Sequence, residues 1–490
     1  MPLKRKTVHG LTWSFIDSFA NQGLNFVIGI ILARLLTPAD FGLIGMLTFF
    51  MAISQSFIDS GFGSALIRKK NCTTEDYSTV FYYNMAVGIL LYLVLFFSAQ
   101  TISDFFDKPQ LKAMAQVLAI NLIINSVSMI QRTIRTKRID FKSQAKISII
   151  ASIFSGVISI GMAWGGWGVW SLVWRSIIQN LCMSVLLWWW IAWRPRLLFS
   201  MASFKELFGF GSKLLISGLI DTTFKNIYYL IIGKFFSATA LGYYTRAQSF
   251  STMPSQILTG VIQRVSYPAL ATIQDDRDRL KRAYRKLIKS TMLLSFVSMI
   301  GMAAIAKPLV LTLIGEKWSP SIAYLQLICF AAMLYPLHAL NLNMLNVKGR
   351  SDLFLRLEII KKLLVIPTIF AGIFWGIKVM ILGMLANSIV AYFLNSYWSG
   401  KMVNYPFKEQ IADIAPSFLI ASIIGLIIYS IGLVLPFQPA ITLLIEIASG
   451  ALLFWIATKI IKIDSFVEMK EIIKGKLASV FQGGFPDEEI

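Results

Sequence analysis

Ser14, Asp17, Asn21 and Asn25 recur every three or four residues inside a long apolar stretch, and Ser217, Asp221 and Lys225 do the same 200 positions on. On a helix that spacing puts each set on one face. An ionisable side chain at the bilayer centre costs about 2.5–3.5 kcal/mol on insertion scales, so it faces a cavity or a partner. Two such stripes in equivalent places are expected to line a shared central cavity. Gln55, Asp59 and Gly63 add a face in the first half, and Arg246 and Gln256 add one in the second. The chemistry on offer is binding. Asn21, Asn25 and Gln55 supply neutral amides, and Lys225 and Arg246 supply positive charge. Asp17, Asp59 and Asp221 supply carboxylates able to exchange a proton or hold a cation.

Simpler roles stand beside these. Asn21, Asn25 and Gln55 can satisfy one another across packed helices. Asp221 lies one turn from Lys225 and can neutralise it. Arg34 and Lys234 stand near predicted outer helix ends, where long basic side chains snorkel to the interface. Arg175 and Glu446 lie in apolar stretches without a visible partner. Nothing resembles a catalytic centre: His9 and His338 have no acid arranged beside them, and there is no P-loop. Cys72, Cys182 and Cys329 have neither metal nor disulfide spacing. The expectation is no enzyme, no metal and no cofactor, with coupling to an H+ or Na+ gradient as the open option.

The elements that must position these residues are membrane helices. The chain has 490 residues, 56% hydrophobic and 14% charged, against roughly 25% charged in soluble domains. This predicts an all-α polytopic protein. Spans of about 20 apolar residues fall at 10–36, 40–66, 78–99, 112–131, 145–164, 168–192, 207–235, 240–263, 287–306, 321–346, 355–375, 378–398, 412–434 and 440–459. The net charge of +21 gathers in alternate connections, as at Lys4 to Lys6, Arg68 to Lys70, 132–146, 277–289 and 348–362. That asymmetry marks cytoplasmic loops rather than a nucleic-acid footprint, and it places both termini in the cytoplasm. The first apolar stretch is too long and too polar for a signal-peptide core, so it is expected to be an uncleaved helix.

The chain also repeats itself. Arg34 to Thr37 and Phe41-Gly42-Leu43 answer Lys234 to Ser237 and Leu241-Gly242-Tyr243 at an offset of 200. Later the offset drifts to about 210, where Asp107-Lys108 and Gln116 answer Glu316-Lys317 and Gln326. Six spans per repeat make the halves parallel, related by an axis along the membrane normal. The expected organisation is a first lobe at 1–193, a linker at 194–206, a second lobe at 207–400, two extra helices at 401–460 and a cytoplasmic tail at 461–490. The 275–289 segment and the stripe Phe466, Met469, Ile473, Leu477 and Val480 look amphipathic. Either could lie on the inner leaflet or simply pack.

The stretch from Ala33 to Gly42 resembles the opening motif of the polysaccharide-transporter branch of the MOP flippase superfamily. So do Asp59 to Gly63 with Ala65 to Arg68, Leu241 to Tyr244, Tyr267 to Leu270 and Gly315 to Trp318. The combination is most similar to Wzx-type O-antigen flippases and to colanic- and teichuronic-acid exporters. The resemblance implies two six-helix lobes around a cavity in a bacterial inner membrane. It implies a flippase for undecaprenyl-pyrophosphate-linked oligosaccharide in lipopolysaccharide or exopolysaccharide biosynthesis. Its partners would be that lipid, the surrounding membrane lipids, polymerase and glycosyltransferases, with no nucleic acid. The family's cationic lumen maps onto Lys225 and Arg246, with Arg34 and Lys234 at the rim. Asp17, Asp59 and Asp221 depart from a simple anion funnel. Alternatives are a MATE-type multidrug or cation antiporter, against which the two buried bases argue, and a membrane polymerase or acyltransferase, against which the repeat and short outer loops argue.

The charge asymmetry has a direct test. Cysteine at position 137, in a cysteine-free background, is expected to be shielded from an impermeant thiol reagent in intact cells. Labelling equal to that of an outer-loop control would overturn the orientation.

Overall fold

The computed structural model describes residues 3–59, 61–435 and 437–460. Among these residues all regular structure is helical. The elements are α1 (Leu3–Leu35), α2 (Pro38–Asp59), α3 (Phe62–Arg68), α4 (Thr74–Phe106), α5 (Gln110–Lys137), α6 (Phe141–Trp164), α7 (Trp170–Trp190), α8 (Met201–Phe235) and α9 (Ala238–Ala271). They continue with α10 (Arg277–Ala304), α11 (Ala306–Leu313), α12 (Ser321–Ala332), α13 (Tyr335–Val347), α14 (Ser351–Trp375), α15 (Ile377–Val403), α16 (Phe407–Val434) and α17 (Pro439–Ile460). Nine helical stretches among the described residues are long and apolar enough to cross a membrane by length and composition. Helix covers most of every stretch read as a span; the 287–306 stretch crosses Ile305 from α10 into α11, and two others break. The 40–66 stretch divides into α2 and α3 around Gly61, whose φ of 69° is left-handed and suits a residue without Cβ. The 321–346 stretch divides into α12 and α13, with Pro336 opening the second piece.

Side-chain caps set several helix starts. The Thr37 backbone N–H donates to Asp40 Oδ2 at 2.9 Å, and the Asp40 N–H returns a bond to Thr37 Oγ1 at 3.4 Å. At the equivalent turn the Ala240 N–H donates to Ser237 Oγ at 3.0 Å. Thr73 and Asp76 form a capping box on α4. Gln116 and Gln326, which correspond at the sequence offset of 210, do matching work. Each donates to a carbonyl on an adjoining helix, that of Phe96 at 3.4 Å and that of Ala303 at 3.3 Å.

The chain divides into two compact units after Thr245. In the first, α1 packs on α6, α6 and α5 on α7, α4 on α5, and α2 on α8. A Cβ on Gly42 would run into the Ala238 carbonyl oxygen, and one on Gly242 into the Pro38 carbonyl oxygen. The repeated motif therefore packs reciprocally against its own copy, and glycine permits the close backbone approach. Residues 191–200, non-helical, overlap the expected linker at 194–206. They are tied to α4 by Arg196 N–H to Ser78 Oγ at 3.1 Å and Ser200 N–H to Thr79 Oγ1 at 2.9 Å. Past the end of α3, Lys69 bonds Glu206 at 2.9 Å and Asp76 at 3.0 Å. The two carboxylates hold its ammonium above the usual lysine range, Glu206 more than Asp76. Lys137 donates to the Leu66 and Lys69 carbonyls. Its exposed neighbour Arg138 is thus the less disruptive place for a cysteine probe.

In the second unit α10 packs on α16 and α12, α15 on α12, α13 and α14, and α17 on α16 and α11. The 275–289 segment is not a separate surface helix. Most of it is the start of α10, where Leu280 and Tyr284 are fully buried. Its charged side is bound to α16: Lys281 to Glu409 at 2.9 Å, Arg285 to Asp413 at 2.5 and 2.7 Å, and Lys289 to Asp413 at 3.1 Å. The alternation of charge reads ion pairing to a neighbour, not a lipid surface. The amphipathic stripe of the tail lies outside the described residues.

Candidate functional site

The polar residues of the first unit fall into two hydrogen-bonded sets. One joins α1, α6 and α7. Asn21 Nδ2 donates to Ser148 Oγ at 2.6 Å, and Asn21 Oδ1 accepts from Ser152 Oγ at 3.1 Å. Gln179 Nε2 donates to the same Ser152 hydroxyl at 3.1 Å. Arg175 Nη2 donates to Asn25 Oδ1 at 2.6 Å, and Asn25 Nδ2 donates to the Asn21 carbonyl at 2.9 Å. Arg175, which the sequence leaves without a partner, thus finds one on α1. Asn21 and Asn25 are bonded across helices within the unit, the simpler of their two expected roles.

The other set joins α2, α5 and α7. Asn125 Nδ2 donates to Gln55 Oε1 at 2.9 Å, and Gln55 Nε2 donates to Asp59 Oδ1 at 3.1 Å. Asn180 Nδ2 donates to Asn121 Oδ1 at 2.9 Å, and Asn121 Nδ2 to Ser176 Oγ at 3.1 Å. Gln55, Asn121, Asn125, Ser176 and Asn180 line an open cavity of about 330 Å³, together with Thr48 and apolar residues that include Leu47 and Leu172. Of these five, only Gln55 was singled out from sequence. The signal for the rest was the four-residue spacing of Asn121 with Asn125 and of Ser176 with Asn180. It was faint because the pairs sit on two helices.

The charged candidates are more dispersed. Lys225 Nζ lies 2.7 Å from Asp221 Oδ2, an ion pair one turn apart whose side chains are 72% and 45% exposed. Between them Thr222 shares a 2.9 Å hydrogen bond with Ser56 of α2. Arg246, half-buried on α9, belongs to the second unit while Lys225 belongs to the first. Lys234 donates to the Phe105 carbonyl at 2.5 Å and lies 3.3 Å from Asp107 Oδ2. It thus binds the C-terminus of α4, a stronger role than snorkelling. Arg34 is exposed in the last turn of α1. Asp59, exposed at the end of α2, accepts from Gln55. Asp17 lies on α1 with its side chain outside the described residues.

The second unit has its own polar threads. Tyr284 OH and Ser399 Oγ both donate to Asn341 Oδ1, at 2.8 and 2.5 Å. His338 Nε2 shares a 3.0 Å bond with Ser388 Oγ. Glu446 is buried on α17 against Gly432, beside an apolar cavity of about 190 Å³. Among the described residues no three His, Cys, Asp or Glu side chains gather to hold a metal.

Comparison with known proteins gives this arrangement a setting. The family described as Polysaccharide biosynthesis protein matches residues 31–323. The chain is 27% identical to the teichuronic acid biosynthesis protein TuaB of Bacillus subtilis (strain 168), over 97% of this chain and 99% of that one. It is 25% identical to the lipopolysaccharide biosynthesis protein WzxC of Escherichia coli (strain K12), over 90% of each. Among solved structures it shares the fold of the lipid II flippase MurJ in an inward closed conformation. The TM-score there is 0.74 at 15% identity, with 93% of this chain and 99% of that chain covered.

The Arg175–Asn25 bond generates a stability test. Asn25→Leu leaves a half-buried guanidinium short of its acceptor and is expected to cost about 1–3 kcal/mol. The Asn25→Leu, Arg175→Met double variant is expected to lose less than the sum of the single changes, read by thermal unfolding in detergent. Strict additivity would show that the bond is not formed.

Proposed function

We propose, for a chain that belongs to the polysaccharide biosynthesis protein family, that it flips an undecaprenyl-pyrophosphate-linked oligosaccharide from the cytoplasmic to the periplasmic leaflet of a bacterial inner membrane. The observation that carries this is the near full-length match to relatives named for two different cell-surface glycans, teichuronic acid and lipopolysaccharide. A shared carrier lipid and a shared transport step fit both names. The helical membrane fold accords with transport.

The finer reading has fourteen crossings, both termini in the cytoplasm and alternating access between two lobes. Lys225 and Arg246 attract the pyrophosphate or acidic sugars by their positive charge. The Asp221 partner tempers Lys225 and leaves it a neutral pair when no anion is near. Asp17, Asp59 and Asp221 are the candidates for coupling to H+ or Na+. Glycosyltransferases would supply the lipid-linked glycan and a polymerase would consume it. A multidrug antiporter for organic cations is less well supported, because the near full-length relatives are named for glycan biosynthesis.

The test is by charge. Lys225→Ala and Arg246→Ala are each expected to lower surface glycan while the protein stays in the membrane. Lys225→Arg should retain more activity than Lys225→Glu. Cells lacking the protein should accumulate lipid-linked repeat units on the cytoplasmic side. Wild-type glycan export from the Lys225→Glu, Arg246→Glu double variant would remove these residues from the mechanism.

A further inference from the structure

The cavity between α2, α5 and α7 has more hydrogen-bonding capacity than its own side chains use. A carboxamide carries two N–H donors and an acceptor oxygen, and a serine hydroxyl one donor and two lone pairs. Gln55, Asn121, Asn125 and Asn180 each commit one side-chain N–H bond to the network. The Oδ1 of Asn125 is buried and accepts nothing. The amides of Gln55, Asn125 and Asn180 each keep a second N–H from which a ligand hydroxyl can accept. Asn121, only 3% exposed, holds Asn180 and Ser176 in place through its two bonds.

The lining also says what the ligand is not. Among the described residues no Lys or Arg lines the cavity, so an anion such as pyrophosphate has no counter-charge from them there. No Asp or Glu lines it, so neither an organic cation nor a metal ion has one. About 330 Å³ lies in the range of small-molecule sites, roughly 300–1,000 Å³. Amides opposite aliphatic side chains suit a ligand with hydroxyls on its edge and C–H groups on its faces.

We propose that this cavity is a subsite for a neutral sugar ring of the transported glycan, with Asn125, Asn180 and Ser176 as its specificity-determining residues. The inference rests on the transport function proposed above and adds where the uncharged part of the head group sits. It is placed to do so. Ser56, next in sequence to Gln55, bonds Thr222 between the two members of the Asp221–Lys225 pair. One helix, α2, therefore carries the amide face and also touches the helix that bears the charge. A pyrophosphate-linked sugar likewise has one charged and one neutral part.

The test uses the full chain in nanodiscs and two probes, undecaprenyl pyrophosphate and undecaprenyl-pyrophosphoryl-glucose. Wild-type protein is expected to bind the glycosylated lipid more tightly. Asn125→Leu and Asn180→Leu should reduce that preference about tenfold and leave binding of undecaprenyl pyrophosphate unchanged. Ser176→Ala removes one hydroxyl with little change of volume. It should reduce the preference a few-fold, and it decides the matter if the leucine variants fail to assemble. A preference unchanged in all three variants would overturn the subsite, as would an equal loss of affinity for both lipids. Wild-type protein that binds both probes equally would overturn the subsite alone. Wild-type protein that binds neither would overturn the transport function with it.

Discussion

A polar side chain in hydrocarbon has no water to fall back on, and the first unit is organised by that constraint. Arg175 is usable inside a bundle because Asn25 accepts from it, and Asn25 is steadied by the Asn21 carbonyl. Asn21 in turn joins two serines of α6. The bonds that settle these groups also fix α1, α6 and α7 against one another. Gln116 and Gln326 solve the same problem by reaching a carbonyl on another helix. Satisfaction is incomplete in both sets: Arg175 Nε and Asn125 Oδ1 are buried and bond nothing among the described residues, and Asn125 also lines the amide cavity.

Close packing supplies the second constraint. Gly42 and Gly242 meet Ala238 and Pro38 reciprocally, so the turn from α1 to α2 is matched by the turn from α8 to α9. Both turns are capped by a hydroxyl, from Thr37 and from Ser237. The motif that recurs at an offset of 200 is therefore a contact surface as well as a turn. A side chain at either glycine would separate backbones that now touch.

Much of this was legible in the sequence. Hydropathy located the helices, and the offset paired Gly42 with Gly242 and Gln116 with Gln326. Four-residue spacing suggested that Asp221 pairs with Lys225, as it does. What escaped was long-range partnership. The acceptor for Arg175 lies 150 positions away, and no local pattern announces it. The 275–289 segment has the composition of a surface helix because its charges face Glu409 and Asp413, residues far along the chain. The amide cavity draws on three helices, each contributing a polar pair too short to stand out from an apolar background. Periodicity reports which face of a helix is polar; it is silent on what that face meets.

The central claim is that this chain moves a glycan-bearing lipid between leaflets. The most direct measurement reconstitutes the purified protein into liposomes loaded with undecaprenyl-pyrophosphate-linked oligosaccharide and follows the fraction open to an added, impermeant glycosidase. The account predicts that the protein drives cleavage from the outer-leaflet share towards the whole pool, and that the Lys225→Glu, Arg246→Glu variant leaves it at the outer-leaflet share. Cleavage that stops at the level of protein-free liposomes, from protein shown to be folded, would contradict it.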